Sequence, residues 1–369
     1  AERERQRQAN VAPGYGGTCR NLTSDQIKSF QNEGRKPVVR MRMDDGATTF
    51  IDEIRGEVSF DHKYVPDFVL MRADGSPLYT LAVAVDDVLM KVTHVLRGED
   101  LLSSTPRQIQ VYKAMGLAPD QYPTFAHLPF VMGQDNAKLS KRNGEVSIAW
   151  YREEGFLPEA ICNYLALLGW SPGEDREDIT MQELVQLFEV HDVHSSPARF
   201  DMKKLEAING DKIRALSPDA FLEWSLTFLK DAGVISGTNS EIELVKKALP
   251  IIQERIVKLS EIPAMLKFLF VENLEIEADS KAKIKDDQSR EVLKRSLEVL
   301  ELVTDWNHIN IEEVLRKALI EELGLKPRVA FGAVRIAITG SHISPPLFES
   351  MELLGKSASI SRIEGALKA

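Results

Sequence analysis

The chain has 369 residues, 43% hydrophobic and 28% charged, and its 46 Lys+Arg against 56 Asp+Glu give a formal net charge of −10. These values suit two to three globular domains; they exclude a disordered chain and a uniformly basic nucleic-acid coat, although a local basic path on an acidic surface still binds phosphates. No apolar run approaches a membrane span, no secretory signal is seen, and Cys19 and Cys162 lie far apart, so a cytoplasmic protein with reduced thiols is expected.

In chain order, residues 1–10 read as the end of a charged helix, broken at Pro13-Gly14-Tyr15-Gly16-Gly17. Thr23-Ser24-Asp25-Gln26 has capping-box spacing and predicts a helix ending at Gly34. Short strands are predicted over 38–43, 48–51 and 57–60, with turns at Asp45-Gly46 and Arg55-Gly56. Residues 68–71 and 78–85 flank Ala73-Asp74-Gly75-Ser76-Pro77 and read as a strand, a turn and the entry to the next element. Residues 93–97 read as a buried strand ending in a charge. Arg97-Gly98-Glu99-Asp100 then stands at a strand's carboxyl end, where open α/β sheets place ligands.

Thr105-Pro106-Arg107-Gln108 combines a capping box with proline at the first helical position and predicts a helix start. From Pro158 onward the apolar spacing is mostly helical, with further capping boxes at Thr180-Met181-Gln182-Glu183 and Ser240-Glu241-Ile242-Glu243. The polar stretch 277–288 reads as a hinge between helical modules. No internal repeat or low-complexity tract is present.

One stretch carries the chemistry. Between Gly133 and Gly144, Lys138, Lys141 and Arg142 fall within five residues around Ser140, and no acidic residue lies between Asn136 and Gly144. Without apolar periodicity this is a mobile basic loop: either a solvated charge run, or a clamp that neutralises charge on a polyphosphate. Lys138-Leu139-Ser140-Lys141-Arg142 resembles the Lys-Met-Ser-Lys-Ser signature of class I aminoacyl-tRNA synthetases, in the form typical of glutamyl-tRNA synthetases. The resemblance extends through the segment 78–87, His94-Val95-Leu96-Arg97-Gly98-Glu99-Asp100, Ser104-Thr105-Pro106-Arg107-Gln108, Gly155-Phe156-Leu157-Pro158, the segment 163–170 and Ser344-Pro345-Pro346-Leu347-Phe348-Glu349. It runs in order over the whole chain and points to the bacterial type.

One family feature is absent. The paired-histidine motif that precedes the basic loop in the family is not found; His191-Asp192-Val193-His194 lacks the glycine and follows the loop. On that resemblance the chain is expected to lack about the first quarter of the enzyme and, alone, to form no adenylate. The competing reading is a non-catalytic tRNA-binding or scaffold short form, or a degenerate paralogue.

The resemblance implies an α/β plus all-α protein. Residues 1–79 would be the remainder of an acceptor-binding insertion and 80–103 the second half of a Rossmann-type catalytic fold. A stem-contact domain with the basic loop would span 104–216, and two helical anticodon-binding domains 217–277 and 278–369. The implied activity is ATP-dependent activation of L-glutamate, ATP acting with Mg2+, and transfer to tRNA(Glu), by a monomer. Lys138, Leu139, Ser140 and Lys141 would bind ATP, with Lys138, Ser140 and Lys141 catalytic. Arg97 would hold a substrate carboxylate through its fork, and Tyr79 would shape the pocket. Arg255, Arg335, Ser344, Pro345 and Leu347 would contact the anticodon, although Pro345-Pro346 equally suits a simple helix start. Tyr15 and Cys19 match half of a zinc site found in some members; two ligands do not close one, and no metal is expected. Asp86-Asp87 is as compatible with a structural role as with a catalytic one.

Overall fold

The computed structural model describes residues 15–133, 137–139, 147–173 and 176–368. They form two compact units, residues 1–139 with 165–200, and residues 140–164 with 201–369.

In the first unit the Thr23 hydroxyl and Gln26 close the expected capping box at the start of α1 (Ser24–Asn32). Strand β1 (Val39–Arg40) pairs antiparallel with β4 (Val69–Met71), and β2 (Ala47–Asp52) forms a hairpin with β3 (Gly56–Asp61). Helix α2 (Tyr79–Leu89) then leads to β5 (His94–Gly98), and α3 (Thr105–Ala114) carries the chain across to a parallel β6 (Thr124–Leu128). The sheet order is β3-β2-β6-β5. Beneath it Ala84, Ile109, Val111, Tyr112 and Phe125 make a core into which Phe50, Phe68 and Leu70 pack. The short β7 (Val131–Met132) pairs parallel with β8 (Ala198–Arg199), and the chain folds back on β7 at Lys138.

Two expectations fail here for physical reasons. Strand β5 is not buried: it is the last strand of the sheet, and His94 and Leu96 are exposed. Thr105 does not cap α3 either. Ser104 stands at the cap without a side-chain bond, and a 3-10 turn over Glu99–Ser104 feeds the helix. The Thr105 hydroxyl is engaged by Arg97, as described below.

The second unit is helical: α4 (Ile148–Glu153), residues 158–164 of α5 (Pro158–Leu167), and then, beyond the first unit's α6 (Met181–Leu187), α7 (Met202–Arg214), α8 (Pro218–Asp231), α9 (Asn239–Gln253) and α10 (Ile262–Leu266). Buried Asn209 of α7 ties three segments together, accepting from Leu157 N at 2.8 Å and donating to Gly155 O and Val257 O. Gly155 has a φ of +80°, and a Cβ there would lie 2.5 Å from Ser260 N, so only glycine suits this approach.

The chain continues through α11 (Ala278–Lys281), α12 (Asp287–Leu300), α13 (His308–Arg316), α14 (Pro327–Thr339), α15 (Leu347–Leu354) and α16 (Lys356–Lys368). Their apolar faces share one core, including Val292, Ile311, Val334, Leu347 and Ile363, joined by Leu319 from the turn after α13. The stretch 277–288 is no polar hinge. Ser280 is fully buried, Ile284 joins the core, and Glu277 N donates to Gly340 O at 3.0 Å. Gly340, at a φ of +80°, permits this closeness: a Cβ there would meet Glu275 O at 2.8 Å.

The capping box expected at Ser240 closes two residues earlier, at Thr238, because Glu241 turns back onto the amides of Ser236, Gly237 and Thr238. These bonds hold the Glu241 carboxyl down at about 2. A carboxyl depressed on folding stabilises the fold above its ordinary value of 4.5 and loses that contribution as pH falls toward about 2. The difference in unfolding free energy between the parent and Glu241→Gln is therefore expected to shrink over that window in denaturant titrations. A difference independent of pH would show that the carboxylate charge contributes nothing.

Candidate active site

The carboxyl ends of β5 and β6 gather a buried polar network. Asp52, ending β2, is 1% exposed; its Oδ1 accepts from the amides of Ile54, Arg55 and His127, which fixes the hairpin turn. Its Oδ2 faces His127 Nδ1 at 2.6 Å, and His127 is itself fully buried in β6. His127 Nε2 lies 3.1 Å from Arg97 Nε. Burial pushes the imidazole pKa down, against the pull of Asp52. An arginine Nε–H can only donate, so Nε2 is the bare acceptor and Nδ1 carries the proton given to Asp52.

Arg97 is half-buried, and its Nη2 donates to Gln108 Oε1 at 2.7 Å, Thr105 Oγ1 at 2.8 Å and Leu101 O at 3.3 Å. The fork expected to grip a carboxylate is thus occupied by the protein itself, and Nη1 is the nitrogen left for a ligand. All the acceptors are neutral. The neighbouring acid Glu99 is taken by Arg55 and by the Phe130 amide at 2.9 Å. Among the described residues Arg97 therefore has no carboxylate partner.

Tyr79 starts α2 and is 52% exposed. Like Asp87 and Arg97, it lies near enough to the fully buried Tyr112 to act on it electrostatically. The Tyr112 hydroxyl donates to Asp87 at 2.6 Å and is driven far up, first by burial and then by that bond. Asp87 is thus a structural acceptor. Lys138 stacks over Phe130, 4.2 Å from the ring centre, with Nζ 3.7 Å from Asp100. Leu139 N donates to Val131 O. Ser140 and Lys141 lie outside the described residues.

In the second unit Arg255 is exposed at the end of α9, while Arg335 on α14 is half-buried with its Nε buried and unpartnered among the described residues. Burial, then the charge of Arg255, lowers the Arg335 pKa. Ser344 and Pro345 precede α15, so the two prolines do start a helix. Leu347 is 3% exposed and belongs to the core, which withdraws its side chain from any ligand.

Tyr15 Oη accepts from Cys19 N. The described residues hold no group of three or more His, Cys, Asp and Glu able to bind a metal. Tyr15 and Cys19 do not by themselves make a zinc site. Sequence reasoning missed Asp52, His127 and Gln108. Their signal was a histidine inside the apolar strand Phe125-Ala126-His127-Leu128 and an acid ending a strand before a turn.

Comparison with known proteins points the same way as this geometry. Residues 1–207 match the family model for the catalytic domain of class I tRNA synthetases (E and Q), and residues 220–367 match an anticodon binding domain. A glutamate–tRNA ligase of Nocardioides sp. is 51% identical over 362 residues, covering 96% of this chain and 73% of the relative. One from Rhodococcus jostii is 50% identical over 370 residues, covering 98% and 75%. The crystal structure of a glutamate tRNA ligase from Elizabethkingia meningosepticum, in complex with its amino acid, superposes with a TM-score of 0.79 at 28% identity, covering 100% of this chain and 76% of that one.

Proposed function

The chain belongs to the glutamate–tRNA ligases, class I aminoacyl-tRNA synthetases, and from that premise we propose how its residues divide the reaction. Glutamate's carboxylate attacks the α-phosphate of ATP, forming a carboxyl–phosphate bond and releasing pyrophosphate; the terminal ribose hydroxyl of tRNA(Glu) then takes the glutamyl group and AMP leaves. Magnesium travels with ATP as part of the substrate. Neither step needs a side-chain nucleophile, so positioning and charge neutralisation carry the catalysis.

Arg97 presents Nη1 to a substrate carboxylate, with Tyr79 forming the adjoining wall. Lys138 and Lys141 hold the phosphates, with Ser140 and the Leu139 backbone assisting. Arg255 and Arg335 read the anticodon, with Ser344 and Pro345 shaping the loop beside them. The observation that carries this reading is the state of Arg97: a half-buried cation at a strand's carboxyl end, held among the described residues by neutral acceptors alone. Such a charge lacks compensation until an anion arrives.

Arg97→Lys keeps the charge but loses the anchored geometry. In a form of the protein that aminoacylates tRNA, it is expected to raise the KM for glutamate by about tenfold or more, with the KM for ATP little changed. An unchanged glutamate KM would remove Arg97 from the substrate site.

A further inference from the structure

We propose that His127, oriented by Asp52, is a positioning residue that aims Arg97 at the substrate carboxylate and so sets the affinity for glutamate. The proposal rests on the reading of Arg97 just given.

The argument is one of donors and acceptors. Arg97 can only donate, so its Nε requires an unprotonated His127 Nε2, 3.1 Å away. That tautomer requires Nδ1–H, and Asp52 Oδ2 at 2.6 Å is the acceptor that selects it. Asp52 cannot turn aside, because three backbone amides hold its other oxygen. Gln108 offers Oε1 to Arg97, which leaves its buried Nε2 without an acceptor among the described residues. Rotating that amide would face one donor with another. An orphaned buried donor is costly, and the arrangement makes sense if the orientation of Arg97 is what it secures. Within this chain of contacts Asp52, His127, Thr105 and Gln108 are all at most 1% exposed, and Arg97 is the member that emerges.

Paired substitutions separate positioning from plain packing. Asparagine at 127 keeps a donor near the place of Nδ1 and removes the acceptor for Arg97; glutamine keeps an acceptor near the place of Nε2 and gives up the donor. In a form of the protein that aminoacylates tRNA, His127→Asn is expected to raise the glutamate KM by about tenfold or more, and His127→Gln to restore most of that loss. Asp52→Asn should resemble His127→Asn: its carbonyl oxygen stays with the three amides, its NH2 confronts Nδ1, and the imidazole is forced into the opposite tautomer. Direct L-glutamate titration by calorimetry and melting temperatures accompany each variant.

The same geometry predicts a pH dependence. The polar and charged groups facing His127 are Asp52 from β2, Arg97 from β5, Thr105 from α3, and Arg55, whose Nε donates to His127 O while Glu99 pairs with it. Protonating Nε2 sets two donors and two cations against each other. Because burial holds the imidazole below its ordinary range, glutamate KM should rise only at more acid pH than a free imidazole would give, and this acid limb should vanish in His127→Gln. Nitrogen NMR of the parent chain, which needs no turnover, should show His127 with Nδ1–H and a bare Nε2. An Nε2–H tautomer overturns the proposal, as does equal loss of affinity and melting temperature in the two His127 variants. If Arg97→Lys raises the glutamate KM while His127→Asn leaves it unchanged, the positioning role falls and the reading of Arg97 stands. If neither changes it, both fall.

Discussion

In a form of the protein that makes the adenylate, Lys141→Ala is expected to slow adenylate formation by about 10²–10³ while changing glutamate binding little. The reaction moves negative charge onto pyrophosphate as it leaves, and a cation in the basic loop is needed most when that charge has developed. A contact made mainly in the transition state appears in the rate and hardly in ground-state affinity. Lys138 makes a useful internal comparison. Its ammonium already lies 3.7 Å from Asp100 and over the Phe130 ring, so part of its charge is spoken for within the protein. Lys138→Ala should accordingly cost less than Lys141→Ala. Single-turnover measurements with saturating ATP and glutamate decide the matter. A Lys141→Ala defect confined to the glutamate KM would show that the loop does not serve the leaving phosphates.

Local chemistry was legible in the sequence wherever it was written in neighbouring residues. Thr23 with Gln26 and Thr180 with Glu183 cap the helices they were expected to cap, and the Asp52–Gly56 turn closes the β2–β3 hairpin. Arg97 was singled out by the family resemblance, since on its own a charged residue after a strand reads as readily as a surface arginine or a structural ion pair. What failed depended on partners far along the chain. Thr105 has perfect capping-box spacing, yet its hydroxyl serves Arg97 and stands beside His127, 22 residues on. Residues 277–288 look polar enough for a hinge, but the bond from Glu277 to Gly340 and the burial of Ser280 depend on contacts some 60 residues away. Leu347 could be placed on a loop or in a core only once α15 was seen packed against its neighbours. The Asp52–His127 pair spans 75 residues, and no spacing rule joins them.

Arg335→Met is expected to leave the melting temperature unchanged or raise it, and at the same time to blunt anticodon discrimination. The two effects have one cause. Arg335 is half-buried on α14, its Nε has no acceptor among the described residues, and both burial and the nearby Arg255 disfavour its charge. Removing an uncompensated cation and filling its place with an apolar chain of similar length relieves desolvation and like-charge repulsion together. The free protein therefore bears a cost at this position, the pattern expected where stability is traded for binding. A nucleobase edge offers acceptors to the part of the guanidinium that stays exposed, and an arginine–base contact of that kind contributes roughly 1–3 kcal/mol of discrimination. Binding of tRNAs with altered anticodons should thus converge toward that of tRNA(Glu) in the variant, measured at one fixed salt concentration because phosphate contacts shift all affinities with salt. Arg255→Ala should blunt discrimination as well, and with less gain in stability, since Arg255 is exposed and gives up little hydration on folding. A variant at 335 that melts lower and discriminates as before would make Arg335 a structural residue and leave Arg255 to read the anticodon without it.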